Sequence, residues 1–166
     1  MASPKKIKSI RAKVNKLLCP SSMKGITIMG VVYTKKKEVA DEINKTEGID
    51  TVFENHEMTH VHQAVSTWNS WICFYILYLS QWLYNIPLVF IDSYAPYKFM
   101  PLELEAYATQ EDMQYNIANE KATRWKQYRK LPMKTRKELA RNWYEIRRKE
   151  MSFTEFINEY VNIHLH

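Results

Sequence analysis

Glycine is scarce in this chain, three among 166 residues, and cysteine scarcer still, with two. Loops that cradle phosphates need clustered glycines, so nucleotide-binding loops of that kind are excluded. Cys19 and Cys73 stand apart and form no CxxC pair. That excludes zinc ribbons and thioredoxin-type redox sites, and two cysteines cannot build a disulfide framework; a reducing compartment is the simpler expectation. The first eighteen residues lack the apolar run and small-residue cleavage site of a secretory signal, which predicts a protein that is not exported. No internal repeat or low-complexity tract is visible.

What is present is a globular composition, 46% apolar and 25% charged, at a length suited to one domain spanning 1–166. The net charge of +6 hides a partition. Residues 1–16 carry +6 with no acid, residues 17–120 carry −7, residues 121–150 carry +9, and the remainder −2. Two basic arms therefore bracket an acidic middle. Such arms suit phosphate or acidic protein surfaces, or are simply solvated helix faces.

The expected architecture is mainly α with a small edge sheet. Ser3–Pro4 followed by Ile7, Ile10, Val14 and Leu17 reads as an amphipathic basic helix over an arm of 1–20. The run ITIMGVVYT over 26–34, closed by three lysines, reads as one edge strand. Residues 38–50 read as a loop or short helix. Thr51 with Glu54 forms a capping box that opens a helix through Trp68. Pro101 starts another, expected to run from about Leu102 to about Arg129 before Leu131–Pro132 stops it. Thr135 with Glu138, and Ser152 with Glu155, repeat the capping-box signal in a basic helical extension over 121–166.

The informative spacing is His56-Glu57-Met58-Thr59-His60. Residues four apart share one face of a helix, so both imidazoles can address one ion while Glu57 sits beside its open position. Two neutral nitrogens hold Zn²⁺, a third protein ligand completes the set, and the fourth position keeps a water whose pKa falls to about 7. Glu57 is then the candidate base for that water. About forty residues later a second acidic helix start follows, Pro101-Leu102-Glu103-Leu104-Glu105-Ala106-Tyr107.

With both segments the sequence resembles the gluzincin-like zinc metallopeptidases, including the CaaX-prenyl protease type and the small prokaryotic and phage HExxH peptidases. The resemblance covers roughly residues 26–112, within a zincin-like core expected over 25–120. It implies that Glu103, in the E-x-x-A pattern Glu103 to Ala106, is the third metal ligand beside His56 and His60, with Glu105 in reserve. Many members carry Asp or Asn after that alanine to orient a ligand histidine; here the residue is Tyr107, whose hydroxyl is the candidate substitute. No downstream His or Arg motif marks a transition-state stabiliser. The metzincin variant is excluded, because Gln63 and Ser66 stand where it needs Gly and His.

Against the metal reading stands a buried polar cluster without an ion. Burying a carboxylate without a partner costs several kcal/mol, and the acidic middle offers few cations to pair with it. A divalent cation solves that problem directly. His62 falls on another face and reads as a surface or capping residue.

Residues 64–91 hold no charged residue. They read as a buried helix behind the metal site rather than a membrane span, since Asn69, Ser70, Ser80, Gln81, Asn85 and Pro87 border or interrupt them. An aromatic subunit interface is the other outlet for that surface. The basic segment Arg124, Trp125, Lys126, Gln127, Tyr128, Arg129, Lys130 could contact nucleic acid or a partner, or be a structural helix with Trp125 and Tyr128 packed inward.

Two functions follow. One is a zinc metallopeptidase, hydrolysing a peptide or protein substrate laid along the 26–34 strand. The other is a component of a virion or other large, oligomeric assembly that keeps the zinc-peptidase fold for its shape, its basic arms contacting partner subunits or nucleic acid. Scarce glycine with abundant Lys, Asn, Ile and Tyr is the usage of an AT-rich gene, as in phages and gut bacteria. The expected location is the cytoplasm of a bacterial or phage-infected cell, or the virion.

Overall fold

A computed structural model describes residues 11–15, 17, 25–28, 31–45, 51–119 and 121–165. The described chain is mainly helical, with one small sheet of three strands: β1 (Arg11–Val14), β2 (Gly25–Ile28) and β3 (Val31–Thr34). The order is β1-β3-β2, with β1 parallel and β2 antiparallel to β3. Residues 1–10 of the expected N-terminal helix lie outside the described residues, and Arg11–Val14 is a strand rather than helix. The reason is tertiary. Ala12 faces Val32 across the ladder, and Asn44 bonds the free side of β1 by accepting from the Ala12 amide (2.9 Å) and donating to its carbonyl (3.0 Å).

The single edge strand expected over 26–34 is instead two strands paired with each other, and its second half is the centre of the sheet. β-Branched composition marks extended backbone but not whether nine residues make one strand or two. Gly25 lets β2 approach the next layer closely, since a Cβ there would stand 2.8 Å from the Phe53 ring. Of residues 38–50, expected as loop or short helix, 46–50 lie outside the described residues and the rest belong to helix α1 (Lys37–Lys45), which buries Ala40 and Ile43 against Val32 and Met58.

Helix α2 (Val52–Ser66) starts where the capping box predicts, with both reciprocal bonds of Thr51 and Glu54 formed. It is an unusual helix, polar in sequence yet buried continuously from Glu54 to His60. Helix α3 (Trp71–Asn85) is capped by Ser70 and continues as a 3-10 turn over Ile86–Phe90. The short α4 (Ala95–Lys98) leads to α5 (Pro101–Thr109), with Pro101 in its first turn.

The helix expected to continue to Arg129 ends at Thr109. Asn55, on α2, donates to the carbonyls of Thr109, Gln110 and Asp112 (3.0, 2.9 and 2.9 Å), satisfying acceptors that further helix would otherwise have bonded. Only single turns follow, α6 (Tyr115–Ala118) and α7 (Trp125–Tyr128). Helix α8 (Met133–Arg141) begins at Pro132, so Thr135 lies inside it rather than capping it. The Ser152–Glu155 box does cap α9 (Phe153–Phe156), beyond which the chain winds on in wider and tighter turns to Leu165.

The basic C-terminal segment is part of the main core. Tyr128, Leu139, Trp143, Phe156 and Val161 cluster with Leu88, Phe99 and Leu104. Within it, Arg136 is buried with no carboxylate paired to it among the described residues; its guanidinium donates to Asn85 Oδ1 (2.8 Å) and to the carbonyls of Tyr128, Arg129 and Leu131. Phe156→Ala should therefore cost about 3–5 kcal/mol in urea unfolding. A cost near zero would mean that this segment is a detachable arm.

Candidate metal centre

Helix α2 places His56 and His60 one turn apart, their ring centroids 5.1 Å from each other and the planes nearly perpendicular. Glu103 comes to them from the first turn of α5, where the positive end of the helix dipole favours a carboxylate. Its Oε2 lies 3.4 Å from His56 Nε2 and its Oε1 3.4 Å from His60 Nε2. One ligating atom from each of the three residues lies within 4.8 Å of the others. Glu103 is 1% exposed, and both histidines and Glu57 are buried beside it.

Each imidazole is held by a glutamine. His60 Nδ1 bonds Gln63 Oε1 (2.9 Å), and Gln63 Nε2 donates to Leu102 O and Glu105 Oε2 (both 2.9 Å). Since both of those partners only accept, the amide oxygen must face the ring, and the ring nitrogen facing it must carry the hydrogen. His56 Nδ1 bonds Gln110 Oε1 (3.2 Å). Gln110 Nε2 donates to Thr154 Oγ1 (2.9 Å), whose own hydrogen goes to the Tyr107 carbonyl (2.9 Å), so the same logic fixes the His56 tautomer. Both Nε2 lone pairs are thereby turned toward Glu103.

Two lone pairs facing a carboxylate across 3.4 Å need a positive charge between them, either protons or a metal. At that separation the His56–Glu103 contact is an ion-pair distance rather than a good hydrogen bond, and Glu103 Oε2 has no hydrogen-bond partner. Ligands about 2.0–2.2 Å from a tetrahedral ion stand about 3.4 Å apart. The group could hold a metal ion, and its donor set fits one. Among the described residues no Lys or Arg forms an ion pair with Glu103.

The electrostatics follow from this crowding. For Glu103, burial favours the neutral acid, but the charge of His60, the close approach and charge of His56 and the Tyr78 hydroxyl together outweigh it, lowering the pKa to about 2. For His56, burial disfavours the cation, but Glu103 outweighs it, helped by Glu57 and Gln110, and the pKa is raised. Three tyrosines border the group. Tyr78 donates to Glu103 Oε1 (2.7 Å); the Tyr107 ring meets His56 edge-on at 4.6 Å; Tyr97 hydrogen-bonds Tyr107. Burial first, and the charge of Glu103 second, push all three phenols above their ordinary pKa, so they stay neutral donors.

The expected residues thus divide. His56, His60 and Glu103 come together, with Glu57 acting electrostatically on His56 and on the three tyrosines. Glu105 belongs to another network, accepting from Gln63 Nε2, the Tyr115 hydroxyl (2.7 Å) and the Arg124 amide (2.7 Å). Tyr107 packs on His56, but the orienting bond comes from Gln110. His62, expected at the surface, is buried. Arg124, Lys126, Arg129 and Lys130 are exposed while Trp125 and Tyr128 pack inward.

Gln63, Tyr78, Tyr97, Gln110 and Thr154 are the residues that sequence reasoning missed. Only Gln63 carried a signal, lying three residues after His60 and so within reach on the same helix. No family model, curated protein or solved structure matches the chain.

Two predictions follow from this geometry. Gln63→Ala or Gln110→Ala should weaken divalent-metal binding about 10–100-fold in a competition titration, because the imidazoles lose their orienting acceptors. In metal-free protein, the depressed Glu103 contributes stability present above its ordinary value of 4.5 and lost as pH falls toward about 2. The raised His56 contributes stability present below 6.5 and lost as pH climbs through its folded value. A metal instead needs both rings neutral. The metal-induced rise in Tm should therefore be larger near about pH 8 than near about pH 5.5; equal rises would remove the imidazoles from the ligand set.

Proposed function

We propose that this chain is a zinc-dependent hydrolase of peptide bonds with a zincin-like core. The observation that carries the reading is the convergence of His56 Nε2, His60 Nε2 and the Glu103 carboxylate, each imidazole locked through its other nitrogen, with Glu57 one residue along the same helix. Two nitrogens and one oxygen with a position left open is the donor set of catalytic rather than structural zinc. His56, His60 and Glu103 would hold Zn²⁺, which when bound would supply a Lewis acid and lower the pKa of a water toward about 7.

The chain's own groups account for the remaining tasks. The Glu57 carboxylate accepts a proton from the attacking water and returns it to the departing amine nitrogen. Tyr97 and Tyr107, kept neutral beside Glu57, offer O–H donors to the carbonyl oxygen as it gains charge. Tyr78 and the two glutamines hold the ligands in place and exclude water from their far side. β2, at the edge of the sheet and packed on the first turn of α2, is the strand on which an extended substrate can add.

Protein purified without added metal should carry about one zinc per chain by elemental analysis, and Glu103→Ala should carry none. Glu57→Gln should keep the zinc and lose at least roughly 100-fold in the rate of peptide cleavage. Undiminished cleavage by Glu57→Gln would sink the mechanism, and a zinc-free native protein would sink the centre itself.

A further inference from the structure

The charge-free stretch was expected to be buried, and the structure overturns that expectation. Trp71–Phe90 is long and apolar, yet only 22% of an eighteen-residue window within it is buried. Its inner side is committed to the protein: Phe74, Gln81 and Asn85 are buried, Tyr78 donates to Glu103, and Gln81 Oε1 accepts from the Leu102 amide. Its outer side is apolar as well. Ile72, Ile76, Leu79, Leu83, Ile86 and Phe90 recur at three- and four-residue steps, with Ile72 at 70% and Phe90 at 91% exposure, and so form one stripe along the helix. No charged residue interrupts it.

At the start of this stripe Trp68 is 86% exposed, held in a left-handed backbone conformation (φ 54°) that a bulky side chain rarely adopts. It borders a cleft of about 580 Å³ shared with Leu77, Trp125, Lys126, Arg129 and Lys130. Three cations therefore stand next to the tryptophan end of an uncharged apolar stripe. Apolar side chains, interfacial aromatics and clustered Lys and Arg are the three contributions that hold a helix in the plane of an anionic bilayer surface.

We propose that this face is a lipid-docking surface: α3 lies in the interface of an anionic membrane, the stripe among the acyl chains and Lys126, Arg129 and Lys130 against the headgroups. The helix does not span. Trp71–Phe90 is long enough to cross, but its inner face is bonded to the protein body through Tyr78, Gln81 and Asn85, and a span would strand those polar groups in hydrocarbon. A second copy is the poorer occupant, because the stripe offers no acidic residue to answer the basic cluster and a face-to-face pair would bury cations unanswered.

The test is flotation of the full-length protein with vesicles of phosphatidylcholine alone and of phosphatidylcholine mixed with phosphatidylglycerol. Binding should require the anionic lipid and should weaken as salt is raised. Lys126→Gln/Arg129→Gln/Lys130→Gln should lower the affinity roughly 100-fold. Ile72→Asp/Ile76→Asp, at exposed positions, should abolish binding while circular dichroism stays unchanged. Brominated lipid should quench tryptophan emission, and less so in Trp68→Phe. Failure to float with anionic vesicles, equal binding to both vesicle types, or full binding by the Ile72→Asp/Ile76→Asp protein would each overturn the proposal. So would a dimer in sedimentation velocity that Ile76→Asp dissociates and that ignores vesicles, since the stripe would then belong to a second copy.

Discussion

A carboxylate buried between two imidazoles, with no lysine or arginine paired to it among the described residues, is the constraint on which the rest of the molecule depends. Glu103 is almost wholly inaccessible and sits 3.4 Å from two ring nitrogens. An uncompensated carboxylate in such a place costs several kcal/mol, so a proton pair or a metal ion must answer it. The surroundings are arranged so that either can: the helix dipole of α5 and the Tyr78 hydroxyl stabilise the anion, while two amides hold the rings with their Nε2 atoms inward. Helix α2 is consequently buried despite its polarity, and its side chains are largely spoken for. Asn55 caps α5, Thr59 bonds back to Asn55, and Asn116 bridges both.

The orientation of His56 extends this dependence across the whole chain. Gln110 is placed by Thr154 on α9, and α9 is anchored by Phe153 and Phe156 in the largest apolar cluster. A segment whose charge alone suggests a solvated arm thus supports a candidate ligand in the acidic middle. Its basic side chains remain outside while Trp125, Tyr128, Trp143 and Phe156 go in. Arg136 is the exception, satisfied by neutral acceptors from α3, α7 and the turn that follows. Charge partition and structural partition are therefore different properties of this sequence.

Helix α3 serves two surfaces at once. On one side Tyr78 completes the surroundings of Glu103 and Gln81 caps the first turn of α5. On the other, the apolar stripe finds no protein layer among the described residues to cover it. A short chain whose apolar helix is uniform all round can bury only the side facing its body, and the other side is left for a different solvent or partner.

The pair of candidate ligand histidines was legible in the sequence because local geometry decides it. Four-residue spacing forces His56 and His60 onto one face, the Thr51 and Ser152 boxes start helices through bonds only three residues long, and Pro101 opens a first turn. Glu103 as third ligand came from a resemblance and not from spacing. What local rules could not reach were choices between partners distant in the chain. Asn55 ends α5 from over fifty residues away, Asn44 draws Arg11–Val14 into a strand that its periodicity would have made a helix, and the 26–34 run folds onto itself. Glu103 and Glu105 are both buried acids on one short helix, yet only the side each faces makes one a candidate ligand and the other a structural acceptor. The sequence by itself determined which residues could meet an ion, since helix periodicity acts within a few residues. Only the tertiary structure decided which of them converge, which glutamines orient them and which face of α3 stays bare, because burial is a property of what packs alongside and no stretch of chain carries its neighbours with it.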